Sequence, residues 1–384
     1  MKKAINHIYL IILLSILSSV APIATDTYIP SIPDIAEAFH VGIEKIEITL
    51  SIFLIGFSVG QIFGGPMSDR LGRRKSSLFG LLGFALFSFI MIFSANIYQL
   101  WIFRFIEAFF GGIVVVNAMA TVRDRFHGQE AAKVLSLIGT IRSIAPLIAP
   151  AIGSLIIHFY SWEAVFLFLT FYALFVAFLV YKDLDESFTY VKQSIYHSYK
   201  IVLSHKTAMK AMLTLSLGFS GFFIFISKSS FIFIEHYGIS TDHFPFFFGF
   251  NFVILIAMIR VNLYFLKTNT PLFLIKTSLI IQIVIAILWA LTADIQTLPL
   301  TMALMAGYMS MMAFIFGNCM ALALEHFKKN AGVASGVVGV LQFGLGAIIS
   351  SLGVLSHGES LVPIGTSLAF ISFVAFLIIR GYKK

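Results

Sequence analysis

Twelve apolar runs, each about 20 residues long and joined by short polar segments, leave this chain few ways to fold. They lie at roughly 8–29, 46–66, 76–95, 99–121, 133–157 and 163–181, then 209–232, 245–266, 271–292, 297–322, 332–355 and 361–380. A run of that length matches one helical crossing of a bilayer, because a helix satisfies its own backbone groups where no water can. Composition agrees: 59% of the 384 residues are hydrophobic and 11% are charged. A soluble domain carries about 25% charged residues. With 42 Phe there is more apolar surface than a soluble core can hide. These features exclude a cytosolic enzyme, a secreted module and a disordered chain. A single cysteine, Cys319, excludes a disulfide framework and a cysteine metal site. There is no GxxxxGK[ST] phosphate loop, no HExxH helix and no TVGYG filter. Neither an enzyme, nor a metal, nor a cofactor is expected.

The one long polar stretch, 182–208, begins YKDLDESFTYVKQ and divides the runs into two sets of six. The sequence therefore predicts an all-α polytopic membrane protein with twelve transmembrane helices in two six-helix bundles, 1–181 and 209–384, with 182–208 as a cytoplasmic linker. With both termini cytoplasmic, 21 of the 26 basic residues fall on the inner side and only Lys45 on the outer. Arg104, Arg142, Lys228 and Arg260 remain inside spans. That asymmetry fixes the expected orientation. It also disposes of a nucleic-acid partner, which the net charge of +8 first suggests, because the basic residues are spread over many loops. Lys2 and Lys3 ahead of an apolar run ending near SVAPIA resemble a secretory signal, but its removal would leave eleven spans and spoil the charge pattern.

Charges inside spans are costly, at least about 2.5–3.5 kcal/mol each on insertion scales, and mark functional sites by default. Asp26 lies in ATDTYIPSIP, ahead of Pro30 and Pro33, which break the helix there. Freed backbone groups at membrane depth are tolerated where they line a cavity. Asp26 is thus either a carboxyl that binds and releases a proton or a helix-end acid wetted at the outer interface. Arg104 and Glu107 are spaced i, i+3 and share one face. They either neutralise each other so that the span inserts, or face a cavity and tune Asp26. Arg142 precedes Pro146 and Pro150, and either serves the cavity or snorkels to the inner headgroups. Lys228, within FISKSSFIF, is flanked by Ser227, Ser229 and Ser230. It either lines a polar pocket, where it binds an anionic group, pairs with an acid or competes with the proton, or it snorkels outward. Arg260 snorkels. Tyr28, Asn117, Asn251 and Asn318 complete the candidate cavity residues. Glycine and small-residue stripes such as AFFGG and AGVASGVVGV allow close helix approach in lipid.

The loop after the second run reads GQIFGGPMSDRLGRRKSSLFG. It resembles the G-x-x-x-D-R-x-G-R-[RK] signature of the major facilitator superfamily, filled by Gly65, Asp69, Arg70, Gly72, Arg73 and Arg74. Asp69 faces either a helix N-terminus or the loop's own arginines, and the resemblance implies a gating latch in the outward-facing state. RFIEAFFGG resembles the R-x-x-Q-G motif of the fourth span, with Glu107 in place of Gln. IAPLIAPAIGS resembles the fifth-span antiporter motif, carried here by Pro146, Pro150 and Gly153. ATDTYIPSIP, VRDRF, SWEAVF and IEHYGIS are similar to the Bcr/CflA branch, in which a first-span Asp, here Asp26, is a hallmark. The second half has no good copy of the loop signature and carries NLYFLKTNTP instead.

The resemblance implies a monomeric drug:proton antiporter of the bacterial inner membrane that works by alternating access. Its partners would be a small-molecule substrate, protons and the lipid bilayer, with Asp26 and Glu107 as proton-coupling acids. The exported molecules would be amphipathic, antibiotics among them. Met305, Met309, Met311 and Met312, with the many aromatics, suit a pocket that re-packs around varied ligands. A dedicated metabolite or siderophore transporter, exporting or importing with protons, and a receptor that has lost transport remain as alternatives.

Overall fold

The structure is a computed structural model that describes residues 7–126, 134, 137–138, 144–186, 195–295, 297–327, 331–354 and 361–382. Every regular element among them is helical. The chain divides into two compact units, Met1–Gln193 and Ser194–Lys384. The first holds α1 (His7–Ser18), α2 (Val20–Asp26), a 3-10 turn (Ile29–Ser31), α3 (Ile32–Ala38), α4 (Ile43–Leu71), α5 (Arg73–Met91), α6 (Ile97–Arg125), α7 (Ala145–Phe159) and α8 (Glu163–Asp183). The second holds α9 (Ile195–Ser204), α10 (Lys206–Ser230), a π-helical turn (Phe231–His236), α11 (Phe244–Phe265), α12 (Pro271–Thr292), α13 (Leu298–Ser310), α14 (Met312–Leu324), α15 (Ala331–Val354) and α16 (Val362–Arg380).

Nine helices among the described residues are long and apolar enough to cross a membrane, and the bent pair His7–Ser18 with Val20–Ala38 makes a tenth span. Two shorter apolar helices, Ala145–Phe159 and Gly336–Ser351, fall on the fifth and eleventh runs. All twelve apolar runs therefore carry helix. Local signals set many of the ends. Asn96 accepts a hydrogen bond from the Gln99 amide (3.0 Å) to start α6, and Thr270 does the same for Phe273 (3.3 Å) with Pro271 in the first turn of α12. NLYFLKTNTP, where the loop signature is absent, is thus a helix end followed by a capped start.

The first span is broken twice. Its halves bend by 44° at Ser19. Pro22 removes one backbone donor there, and Ser15, Ser18 and Ser19 all turn their hydroxyls back onto helix carbonyls at 2.7–2.9 Å, a habit that bends helices. The second break follows Asp26, where Pro30 forces a tight 3-10 turn and Pro33 opens α3. The sequence reading anticipates the second break and misses the first.

Within the N-terminal unit, α4 and α6 touch backbone to backbone. A methyl added at Gly56 would collide with the Phe105 carbonyl, at Gly60 with the Phe109 carbonyl and at Gly112 with the Phe57 carbonyl. One at Gly64 would come within 2.9 Å of the Ile113 Cα. Glycines at 56, 60 and 64 place one bare edge on successive turns of α4. Gly60→Val forces the two backbones apart and is expected to cost more than the ~1–3 kcal/mol of ordinary overpacking. The check is the fraction of monodisperse protein recovered after extraction, which should fall well below wild type. Recovery equal to wild type would remove the close approach from the account.

In the C-terminal unit the core runs from Val202, Ala208 and Leu215 through Ile275, Ile315 and Cys319 to Ala375 and Ile379. Met312 belongs to it, and Met305, Met309 and Met311 are buried as well. The methionines therefore fill gaps between helices of this unit. At one end of the unit the His205 and His326 rings lie tilted at 31° with centroids 4.4 Å apart, and the Tyr382 hydroxyl donates to Glu325 at 3.0 Å. Burial and that carboxylate push the Tyr382 phenol up to about 12.

Candidate substrate and proton site

Asp26 ends α2 and is 2% exposed. The Thr25 hydroxyl donates to its Oδ1 at 2.9 Å. Two residues before it, the Ala24 carbonyl accepts from Nη2 of Arg104 at 3.0 Å. Ala24 is among the last four residues of α2, whose carbonyls lack helical donors, so the guanidinium supplies what the break takes away. Two residues after it, the Tyr28 ring lies 4.4 Å below the same guanidinium. Phe53 and Phe166 complete the box at 4.8 and 5.6 Å. The Tyr28 and Thr49 hydroxyls bond at 2.9 Å.

Arg104 also binds Glu107 at 2.6 Å, and both side chains are fully buried. The other carboxylate oxygen accepts from Ser88 at 2.6 Å. Of the two readings of this pair, the geometry favours mutual neutralisation: each charge is held by the other and by a third group, and aromatic rings enclose the guanidinium. What the pair holds is the backbone just ahead of Asp26.

The fifth-span motif meets the same place. Pro146 lies in the first turn of α7, and Pro150 lies inside it. A methyl at Gly153 would strike the Thr27 carbonyl, so α7 packs directly on the second break of the first span. The hydroxyls of Thr27 and Ser154 are buried there with no hydrogen-bond partner.

The loop signature forms a second cluster in this unit. Arg73 reaches Asp69 at 2.6 Å, Ser68 at 2.7 Å and Asp124 at 2.7 Å. Of the two positions open to Asp69, the structure takes the arginine. The start of α5 goes to Glu186, whose carboxylate accepts from the amides of Arg73 and Arg74. That is an anion on a helix N-terminus. Gly72 has φ 91°, and a side chain there would strike the Glu186 carboxylate. Arg74 stacks over the Tyr181 ring at 5.0 Å and donates to the Tyr181 carbonyl. Gly65 faces open space, and Arg70 is exposed.

The other candidates are scattered. Asn117 donates to Ser76 at 2.9 Å and ties α6 to α5. Asn318 donates to Asn262 at 3.0 Å and ties α14 to α11. Asn251 donates to the Phe247 carbonyl of its own helix. These asparagines spend their donors on packing. Lys228 is 8% exposed, with its ammonium 5.3 Å from the Phe231 ring, so it does not snorkel to the protein's outside. Arg260 is exposed, as a snorkelling residue should be. Arg142 lies outside the described residues.

Sequence reasoning missed three groups. Glu47 is fully buried and shares a face of α4 with buried Ser51 and Ser58. It sits in IEKIEITL, at the very edge of an apolar run, where an acid looks like a loop residue. Asp124 was visible within VRDRF, but only as part of a resemblance. Glu186 lies in YKDLDESF among other acids, and nothing local marks it as the cap of a helix more than 100 residues earlier.

The sequence profile described as Major Facilitator Superfamily matches residues 14–351. The chain belongs to that superfamily. It is a multi-pass membrane transporter and not an enzyme, and its superfamily carries small molecules. It is 32% identical over 352 residues to a bicyclomycin resistance protein homolog of Haemophilus influenzae, covering 89% of this chain and 88% of that one. It is 27% identical to the multidrug resistance protein MdtL of Klebsiella pneumoniae (strain 342), covering 93% and 92%. A crystal structure of a D-xylose-proton symporter superposes with a TM-score of 0.76 at 15% identity, covering 99% of this chain and 98% of that one. At that identity the likeness speaks for the major facilitator fold alone.

Proposed function

We propose that this transporter exports amphipathic small molecules in exchange for protons, by alternating access across a bacterial inner membrane, as a monomer with both termini in the cytoplasm. The observation that carries the reading is Asp26: a carboxyl 2% exposed, at a helix break, inside a span. A buried intramembrane acid is expensive unless it works. Its surroundings suit proton exchange. Thr25 holds one oxygen, and the partnerless Thr27 and Ser154 hydroxyls offer sites for water or a substrate's polar groups. Arg104 and Glu107, already spent on each other, keep the break in shape. The drug-resistance relatives support an amphipathic cargo, and the basic-residue pattern supports the orientation.

Proteoliposomes with an imposed pH gradient test the exchange. Addition of a cargo drug should release protons from the compartment that holds them. Proton uptake with the substrate would make the chain an importer, and no proton movement with any cargo would end the coupling reading.

The loop cluster is the proposed gate. Asp69 is about half exposed, so its pair with Arg73 contributes little stability, ~0–1 kcal/mol. Asp69→Asn keeps the shape and one acceptor oxygen but loses the charge. It is expected to fold and insert like wild type while transport falls at least about tenfold, a barrier change of ~1.4 kcal/mol. Transport equal to wild type at equal membrane level would reduce the loop to a topology signal.

A further inference from the structure

A buried carboxyl that takes up and gives back a proton has two opposite needs. Ionised, it asks for donors. Protonated, it asks for an acceptor for its own O–H. An amide N–H, an ammonium or a guanidinium serves only the first state, and a carbonyl oxygen only the second. A hydroxyl serves both, provided that its own hydrogen has a second place to go.

Thr25 has that second place. Its Oγ1 lies 2.9 Å from Oδ1 of Asp26, 3.1 Å from the Ala21 carbonyl oxygen and 3.2 Å from that of Pro22. One hydrogen does not serve three acceptors at once, so the hydroxyl has two positions to choose from. With Asp26 ionised, it donates to Oδ1. With a proton on Oδ1, the carboxyl donates to Oγ1, and the Thr25 hydrogen turns to the carbonyls of its own helix. Both carbonyls lie in α2, three and four residues back, so the turn moves no other element. Thr25 keeps its own hydrogen throughout, and the proton that arrives and leaves is the one on Asp26. Thr25 is 5% exposed and Asp26 2%, so bulk water is held off from both.

α2 packs against α1, α6 and α7. The titratable groups that α6 brings to the break are Arg104 and Glu107, bound to each other. α1 carries His7 and Tyr9, α7 carries His158 in its last turn, and Tyr28 follows Asp26 on the same segment. These groups set the field around the acid. Thr25 supplies a bond that can change direction.

We infer that Thr25 is a positioning residue for proton exchange: its hydroxyl reverses direction with each protonation of Asp26 and so keeps the buried carboxyl bonded in both states. This rests on the exchange reading above and deepens it.

The test is infrared difference spectroscopy of the full chain in lipid films, between alkaline and acidic buffer, with no cargo present. Acidified wild type should show a protonated-carboxyl band that is lost in Asp26→Asn. Glu107→Gln is recorded beside it, because the Ser88 hydroxyl stands in the same manner between the Phe84 carbonyl and Glu107. Thr25→Val keeps the branched shape and removes the hydroxyl. In it the Asp26 band should move to higher wavenumber, as the band of an acid does when its O–H loses an acceptor. Thr25→Ser should return the band to its wild-type place. An Asp26 band unmoved in Thr25→Val, or one that Thr25→Ser does not restore, would overturn the role of Thr25 and leave the exchange reading standing. A band lost in Glu107→Gln but not in Asp26→Asn, or no carboxyl band at any pH, would strike the exchange at Asp26 itself and the role of Thr25 with it. If Thr25→Val does not fold, Thr25→Ala removes the same hydroxyl. If neither folds, the wild-type band decides by its position, among bonded acids or among free ones.

Discussion

Asp26→Asn is expected to abolish uphill export while the protein still inserts and still exchanges cargo downhill. The amide imitates the protonated acid permanently, so cargo and proton no longer compete for one site. That competition is the coupling: whatever occupies the site disfavours the other ligand, and by reciprocity each drives the other off. For one-for-one exchange of neutral cargo, each unit of pH gradient sustains at most about a tenfold concentration ratio, since one unit is 1.36 kcal/mol. Wild type should approach that ratio, and Asp26→Asn should stay near unity. Glu107→Gln is the comparison, at equal membrane level. Coupling kept in Asp26→Asn and lost in Glu107→Gln would move the carrier to the fourth span and sink the assignment.

Arg104→Met is expected to destabilise the N-terminal unit strongly. It leaves Glu107 fully buried without its counter-charge, and breaking such a pair costs about 3–5 kcal/mol. It also strips the Ala24 carbonyl of its donor. The double variant Arg104→Met/Glu107→Leu removes both charges, and buried pairs replaced by apolar groups are often neutral to stability. Thermal unfolding in detergent should therefore rank wild type and the double variant together, with the single variant far below. A double variant as unstable as the single would mean that the Ala24 contact, not the charge balance, dominates.

Much of the fold was legible because the bilayer reduces the problem to run length. Each of the twelve runs became helix, and Pro30 and Pro33 announced the break after Asp26. The bend at Ser19 was not legible, because a lone proline such as Pro22 is tolerated in many spans. Three serines turning back on carbonyls show themselves only in coordinates. Charges inside runs pointed to Asp26, Arg104, Glu107 and Lys228, all of which are buried. Their partners did not show, because Ser88, Ala24 and Phe166 come from other helices and carry no mark of their own. Glu47 failed for a further reason: hydropathy windows blur at their edges, and a carboxyl there reads as solvated. The asparagines are ambiguous in the opposite direction. Polar residues at mid-span are equally good glue between helices, and nothing in a single sequence separates that use from binding.

The bare glycine edge between α4 and α6 has a mechanical meaning. Where side chains intervene, helices slide by changing rotamers, in steps that cost little. Where carbonyls press on backbone there is no such cushion, and sliding by part of a turn runs into the next residue's Cβ. The pair is therefore stiff, a single strut within the N-terminal unit. One end of that strut carries Asp69 on α4 and Asp124 on α6, both on Arg73. Further along, α6 carries Arg104 and Glu107, with Arg104 on the carbonyl of Ala24. If the loop is the gate proposed above, a displacement set off by its charges would reach the backbone beside Asp26 through this strut, without a chain of rearranging side chains to relay it.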